Sequence, residues 1–210
     1  MIENMKTRKH DEVRKDYDRA YKSGTPFLNP PWFIRSVREL VGKNSQGKVI
    51  LDIGCGDGHF LSYFTGYKRY GIDLSKEAIK KAKLKVGGTF RVSAAEKLPF
   101  RPAVFDAVIC MGSMEHFIDI EKSLREMKRV SKKGAVVIIH VPNSRYIVNN
   151  MLGVHTHHQI NERFATESEW KSIIMPFFSV EKTVKYNTRW FLKALPKRYS
   201  CHFTFVCRNE

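Results

Sequence analysis

One short segment limits the possible folds of this chain more than any other. Lys48-Val49-Ile50-Leu51-Asp52-Ile53 is an aliphatic, largely β-branched run, and it breaks into Gly54-Cys55-Gly56-Asp57-Gly58. Phe60, Leu61 and Phe64 then resume at helical spacing. A buried strand, a glycine turn and a helix, in that order, let a ligand approach the backbone closely. The helix start also offers free N–H groups to a negative group. The spacing is GxGxG and not the dinucleotide GxGxxG, and no GxxxxGKS/T phosphate loop is present. Asp52 adds a negative charge at the turn, which suits a ligand bearing an ammonium group and repels a pyrophosphate.

The strand-and-helix pattern repeats. Tyr70–Leu74 is a second short strand ending in an acid, Asp73, placed to accept both hydroxyls of a ribose. Ser75 is a cap for a helix over 76–86 that buries Ala78, Ile79 and Ala82. Phe90–Val92, Phe105–Met111 and Ala135–Val141 are the third, fourth and fifth strands. Between the last two, a helix turns Ile120, Leu124 and Met127 inward and is expected to end at Gly134. Before the glycine turn, Phe33, Val37, Leu40 and Val41 predict an amphipathic helix closed by Gly42. This alternation predicts a doubly wound, mostly parallel sheet with right-handed crossovers. The end of the chain differs. Thr166-Glu167-Ser168-Glu169 reads as a capping box opening a helix with Trp170, Ile173 and Ile174. Two strands follow, Phe178–Asn187 and Cys201–Cys207, expected to pair antiparallel at one edge of the sheet.

Charge leaves two readings open. Lys and Arg number 37 against 21 Asp and Glu, for a net charge of +16. Glu is interleaved among the basic residues of the helical segments and there is no arginine-rich run, so the excess is a solvated surface or a polyanion-binding face. A hydrophobic content of 42% is that of a soluble globular domain. No apolar run approaches the ~18 residues of a membrane span. The first 25 residues lack an apolar signal core, so a cytoplasmic protein is expected. Cys55, Cys110, Cys201 and Cys207 show no CxxC spacing, so free thiols and no metal site are expected.

In these motifs the chain resembles class I S-adenosylmethionine-dependent methyltransferases, in the branch that includes ubiquinone- and menaquinone-biosynthesis-type enzymes. The resemblance runs over about 48–143. Val49–Gly58 resembles the family's first motif, which implies that Asp52, Gly54, Cys55, Gly56 and Gly58 lie against the methionine part of the cofactor. Gly71–Ser75 resembles the second, implying that Asp73 holds the ribose, with Leu74 beside it. Ala94–Phe100 resembles the third, beside the adenine, and brings in Ala95 and Glu96. Ala94 stands where the pattern has Asp, leaving Glu96 or a backbone carbonyl to reach the adenine. Phe105–Met111 resembles the fourth strand, with Met111 at the cofactor, and Met114–Phe117 the turn after it. The implied fold is a Rossmann-like, mostly parallel seven-stranded sheet with an antiparallel C-terminal edge strand. A helical N-terminal cap or lid over 1–42 precedes a methyltransferase domain over 43–210, in one compact domain.

The implied activity is transfer of a methyl group by in-line displacement, with S-adenosylhomocysteine as product. Acceptor-side groups are expected beyond strands four and five. His116 is a base or orienting group there, or else braces its loop. His157 and His158, with His155 and Tyr146, lie in a long insertion over 143–165 expected to wall the acceptor pocket. Asn143 and Arg163 belong to the same mouth. Tyr17, Tyr21 and Trp32 either fold over the cofactor or pack on the sheet. A small-molecule or lipid-like acceptor leads. An RNA or protein acceptor and a non-catalytic cofactor-binding partner subunit are the alternatives.

Overall fold

The computed structural model describes residues 2–24, 29–42, 45–144, 163–186 and 201–210. In chain order these form α1 (Ile2–Ser23), α2 (Pro31–Val41), β1 (Val49–Ile53), α3 (His59–Ser62), β2 (Lys68–Asp73), α4 (Lys76–Lys85) and β3 (Thr89–Val92). Then follow β4 (Phe105–Met111), a 3-10 turn (Met114–His116), α5 (Ile120–Val130), β5 (Ser131–Pro142), α6 (Glu167–Ile174), β6 (Ser179–Tyr186) and β7 (His202–Arg208).

The seven strands make one sheet in the order β3-β2-β1-β4-β5-β7-β6. β1 to β5 are mutually parallel, and β7 runs antiparallel to both of its neighbours. The order reverses between β1 and β4, and folds of this kind place their crevice beyond the carboxyl ends of those strands. Alternation along the strands splits the core in two. One face packs Leu51, Val108, Ile139 and Phe205 under Leu124 of α5 and Trp170 of α6. The other packs Ile50, Ile109, Ile138 and Val206 under Phe33 and Val37 of α2 and Ile79 of α4. Each such fully buried side chain contributes roughly 1.5–3 kcal/mol. The Trp170 indole N–H donates to the Pro142 carbonyl at 2.9 Å, which ties α6 to the end of β5.

The expected caps are present. Ser75 Oγ accepts from Ala78 N–H, and Thr166 with Glu169 forms the capping box. Two details differ from the sequence reading. The helix expected to reach Gly134 stops at Val130, because Asn209 supplies the cap: its side-chain amide donates to the carbonyls of Lys128, Ser131 and Lys132. Gly134 instead lies inside β5 at φ +76°, donating to Asn209 O at 2.6 Å. The helix after the glycine turn is a single turn. Within the C-terminal pair, β7 lies antiparallel beside β5, as expected of the Cys201–Cys207 strand, and β6 forms the edge. β7 is buried on both faces, as Phe203, Phe205 and Val206 require, whereas β6 exposes Glu181 and Lys182, charges that suit an edge.

Candidate active site

The glycine turn closes on the end of the neighbouring strand. Gly54 and Cys55 donate their N–H groups to Ile72 O at 2.8 and 2.9 Å. Asp73 holds the other side: Oδ2 accepts from Gly56 N–H at 2.9 Å and Oδ1 from Ser75 N–H at 2.8 Å. Gly54 and Gly56 have φ of +78° and +55°. A Cβ at Gly54 would collide with the Ser113 side chain, and one at Gly56 with the Tyr21 hydroxyl. Both positions therefore demand glycine twice over, by dihedral and by space. Gly58 precedes α3 and faces Ala82 and Val86 near the end of α4.

The turn is electrostatically loaded. Asp52 and Asp73 are both buried. Burial, then the charge of Asp73, pushes the Asp52 carboxyl up to about 8, and its Oδ1 has no hydrogen-bond partner. Burial raises Asp73 to about 6 against the opposing pull of its backbone donors. Burial also pushes the Cys55 thiol up, with Asp73 adding to it, so this cysteine stays protonated and unreactive. Asp57 points away from the turn to an ion pair with Lys85 at 2.7 Å.

α1 lies across this crevice and touches each of its motifs. His10 Nε2 is 3.2 Å from Glu96 Oε2. The Tyr17 ring meets His116 edge-on, with centroids 6.3 Å apart. Asp18 Oδ1 accepts from Ser75 Oγ at 2.6 Å and from Glu77 N–H at 3.2 Å. Tyr21 is buried over Gly56, and the Lys81 ammonium donates to the Tyr21 carbonyl. The inward residues Val13, Tyr17 and Tyr21 fall at i, i+4 and i+8, one narrow face of the helix.

Glu96 is already engaged. Its Oε1 accepts from the N–H groups of Ile118 and Asp119 at 2.9 and 3.1 Å, ahead of α5. Burial pushes this carboxyl up, but His10 and the backbone donors outweigh it and hold it below the usual range. Ala95 beside it is buried, and Leu74 is half-buried after Asp73.

Beyond β4, Met111 is half-buried next to His140 of β5, and Gly112 N–H donates to His140 O at 2.9 Å. His116 Nε2 stands 3.9 Å from Glu115 Oε1, between α1 and the end of β4. The ends of the 143–165 connection meet there: Asn143 bridges Ala165, and Arg163 N–H donates to Glu115 O at 2.9 Å. His155, His157, His158 and Tyr146 lie outside the described residues. Trp32 is exposed on α2, against Phe33, rather than over the crevice.

The sequence reading missed one pair. His140 and His202 stack with centroids 4.8 Å apart and 20° between planes, His140 Nδ1 lies 2.7 Å from Thr204 Oγ1, and Phe33 covers the stack. Burial holds both imidazoles neutral, His202 at about 4 and His140 well below its ordinary value. The pair depends on β5–β7 register, and the one local sign of it is that His140 interrupts an apolar strand.

Residues 51–139 match the model of a family described as "Methyltransferase domain". The chain is 34% identical over 149 residues to an uncharacterized protein of Methanocaldococcus jannaschii, covering 68% of this chain and 55% of that one. It is 28% identical over 138 residues to the tRNA (carboxymethyluridine(34)-5-O)-methyltransferase alkbh8 of Xenopus tropicalis, covering 64% and 22%. It is 38% identical over 107 residues to norajmaline N-methyltransferase of Rauvolfia serpentina, covering 46% and 36%. The chain thus spans about half or less of the length of these relatives. A chain from the complex between the Haloferax volcanii Trm112 methyltransferase activator and a methyltransferase shares the fold, with TM-score 0.75 at 17% identity over 94% of this chain and 97% of that one. The matched span runs from the strand before the glycine turn through β5, and the surrounding fold is shared nearly end to end. The chain belongs to the class I S-adenosylmethionine-dependent methyltransferases.

Proposed function

We propose that this chain binds S-adenosylmethionine beneath α1 and transfers its methyl group to an acceptor that enters beyond β4 and β5. The pair of buried carboxylates carries this reading. Asp73 is fixed at the end of β2 by one backbone donor on each oxygen, and each oxygen keeps a second lone pair for a ribose hydroxyl. Asp52 keeps a buried oxygen without a hydrogen-bond partner, and a cation completes such a site best. The ammonium of the cofactor's methionine part is that cation, and Gly54, Cys55, Gly56 and Gly58 make room for it. Adenine falls to the backbone around Ala94 and Ala95, because both Glu96 oxygens are engaged. The sulfonium supplies a methyl group that is already activated. The protein then has to align the acceptor and exclude water. Tyr17 and Tyr21 on α1 serve as the lid that does the second. His116 orients the acceptor, or takes its proton where the attacking atom carries one. His157 and His158 are proposed for the same side.

Two acceptor classes compete. The small or lipid-like acceptor rests on resemblance to the ubiquinone- and menaquinone-biosynthesis-type branch and on likeness to norajmaline N-methyltransferase. The RNA acceptor rests on charge and on likeness to a tRNA methyltransferase. Calorimetry with S-adenosylhomocysteine tests the cofactor site. Wild type is expected to bind, and Asp73→Ala to stay folded and lose about 1.5–3 kcal/mol. Equal affinity in the two would overturn the ribose assignment. Tritiated-methyl transfer to RNA and small-molecule fractions of a cell extract then separates the acceptors. Binding without transfer to any fraction would favour the partner-subunit reading.

A further inference from the structure

α4 carries its exposed lysines as a stripe. Lys76, Lys80 and Lys83 fall at i, i+4 and i+7, and all three face solvent. α1 repeats the pattern with exposed Lys15, Arg19 and Lys22. The two helices are fastened side by side through Asp18 on Ser75 and Glu77 and through Lys81 on the carbonyls of Tyr21 and Gly24. Lys76 lies three residues past Asp73, so the stripe begins at the crevice.

Most acids near this face are occupied. Asp18 turns inward to Ser75, Asp16 pairs with Arg19, and Asp57 with Lys85. Glu12 and Glu77 are the acids left on it. Elsewhere Lys132 pairs with Asp106, Arg125 with Glu121 and Arg208 with Glu181. Lys15, Lys22, Lys76, Lys80 and Lys83 make no ion pair among the described residues. Burial sharpens the imbalance. Asp52, Asp57, Asp73, Glu96 and Glu115 are buried, whereas no lysine or arginine among the described residues is. Lys76 also stands in the first turn of its helix, where the helix dipole favours acids, so it is not there for the helix's own stability.

We propose that the joined outer faces of α1 and α4 form an RNA-binding surface, whose lysines take the phosphate backbone while one nucleotide reaches the crevice. The proposal rests on the methyltransferase reading and names its substrate class. A membrane surface fits less well. The apolar face of α4 (Ala78, Ile79, Ala82) is consumed by the core, leaving Leu84 as its exposed large apolar residue, whereas an interfacial helix needs a broad apolar face.

The test titrates the full chain with a fluorescein-labelled, unmodified tRNA transcript over a salt series. The comparison is with the triple variant Lys76→Ala, Lys80→Ala, Lys83→Ala. Wild type is expected to bind with a steep salt dependence. The variant should bind at least ~10-fold more weakly near physiological salt, and its slope of log K against log salt should be shallower by ~2–3, the loss of three phosphate contacts. Wild-type affinity and slope in the variant would overturn the proposal. So would a wild type that binds anionic phosphatidylserine vesicles and not the transcript. S-adenosylhomocysteine calorimetry on the same variant is expected to match wild type, which places any loss of RNA binding on the surface. A wild type that fails to bind S-adenosylhomocysteine would sink the methyltransferase reading separately, whatever the RNA titration shows.

Discussion

Asp52 is the residue on which pH acts most directly. Its carboxyl titrates at about 8 in the folded protein against an ordinary 3.8. Between those values the unfolded chain has lost the proton and the folded protein keeps it. Stability contributed here is therefore full below about pH 4 and lost as pH rises through 8. Asp73 acts with the same sign, up to about 6. Asp52→Asn removes the cost of the buried charge. The unliganded variant is expected to gain melting temperature over wild type at pH 9, and to show little gain at pH 5. Each kcal/mol appears as ~2–4 °C in a domain of this size. Affinity for S-adenosylhomocysteine should move the opposite way, falling in the variant at pH 9, because the cofactor's ammonium has lost its counter-charge. An equal shift in melting temperature at both pH values would show that Asp52 is not the titrating group. The acid, the glycines and their order were legible in the sequence. That Asp52 lacks a hydrogen-bond partner was not, because it depends on what β2 and β4 place around it.

Among the elements, α1 was expected only as part of a helical cap or lid over 1–42, and its contacts were not legible. Its inward stripe of Val13, Tyr17 and Tyr21 is narrow and largely aromatic, and the rest of the helix is charged. Such a stripe faces a ligand crevice rather than a hydrophobic core, so it lacks the broad apolar signature by which α2 announced itself. Asp18 fastens α1 to the start of α4. Asp18→Ala is expected to loosen the lid by about 1 kcal/mol, the worth of an ordinary hydrogen bond. Stopped-flow release of S-adenosylhomocysteine should then be ~5-fold faster, with the far-ultraviolet circular dichroism unchanged. Release at the wild-type rate would mean that α1 does not gate the site. His140 and His202 are a second feature of element pairing. Both are held neutral by burial, below the ordinary 6.5. Below that value the unfolded chain binds protons that the folded protein refuses, so stability falls as pH drops from about 6.5 toward 4. His202→Gln should flatten that acid limb of a thermal-unfolding series, and an unchanged limb would assign the loss to other groups.

At the scale of the molecule, the proposed cofactor site and Asn209 lie at opposite ends of the sheet. Asn209 is buried at the amino end of β5, where its amide satisfies three carbonyls between α5 and β5. Asn209→Ala leaves those carbonyls without their donor and is expected to cost about 1–3 kcal/mol, lowering the melting temperature by ~2–12 °C. The cofactor crevice lies beyond the other end of the strands, so S-adenosylhomocysteine affinity should be unchanged. A joint loss of both would show that the sheet transmits strain along its length. By itself, the sequence determined the alternation of strands and helices, the glycine turn with Asp52 and Asp73, the caps at Ser75 and Thr166, and the net charge. These depend on neighbours within a few residues, or on composition, and so are written locally. Tertiary structure alone decided that Asn209 and not Gly134 lies at the end of α5, that Asp18 of α1 fastens to the start of α4, and that His140 meets His202. It also decided where the charge points: five acids are buried, while the lysines of α1 and α4 are exposed. Each of these is a pairing between residues far apart in the chain, selected by which faces remain to be buried once the local elements have formed.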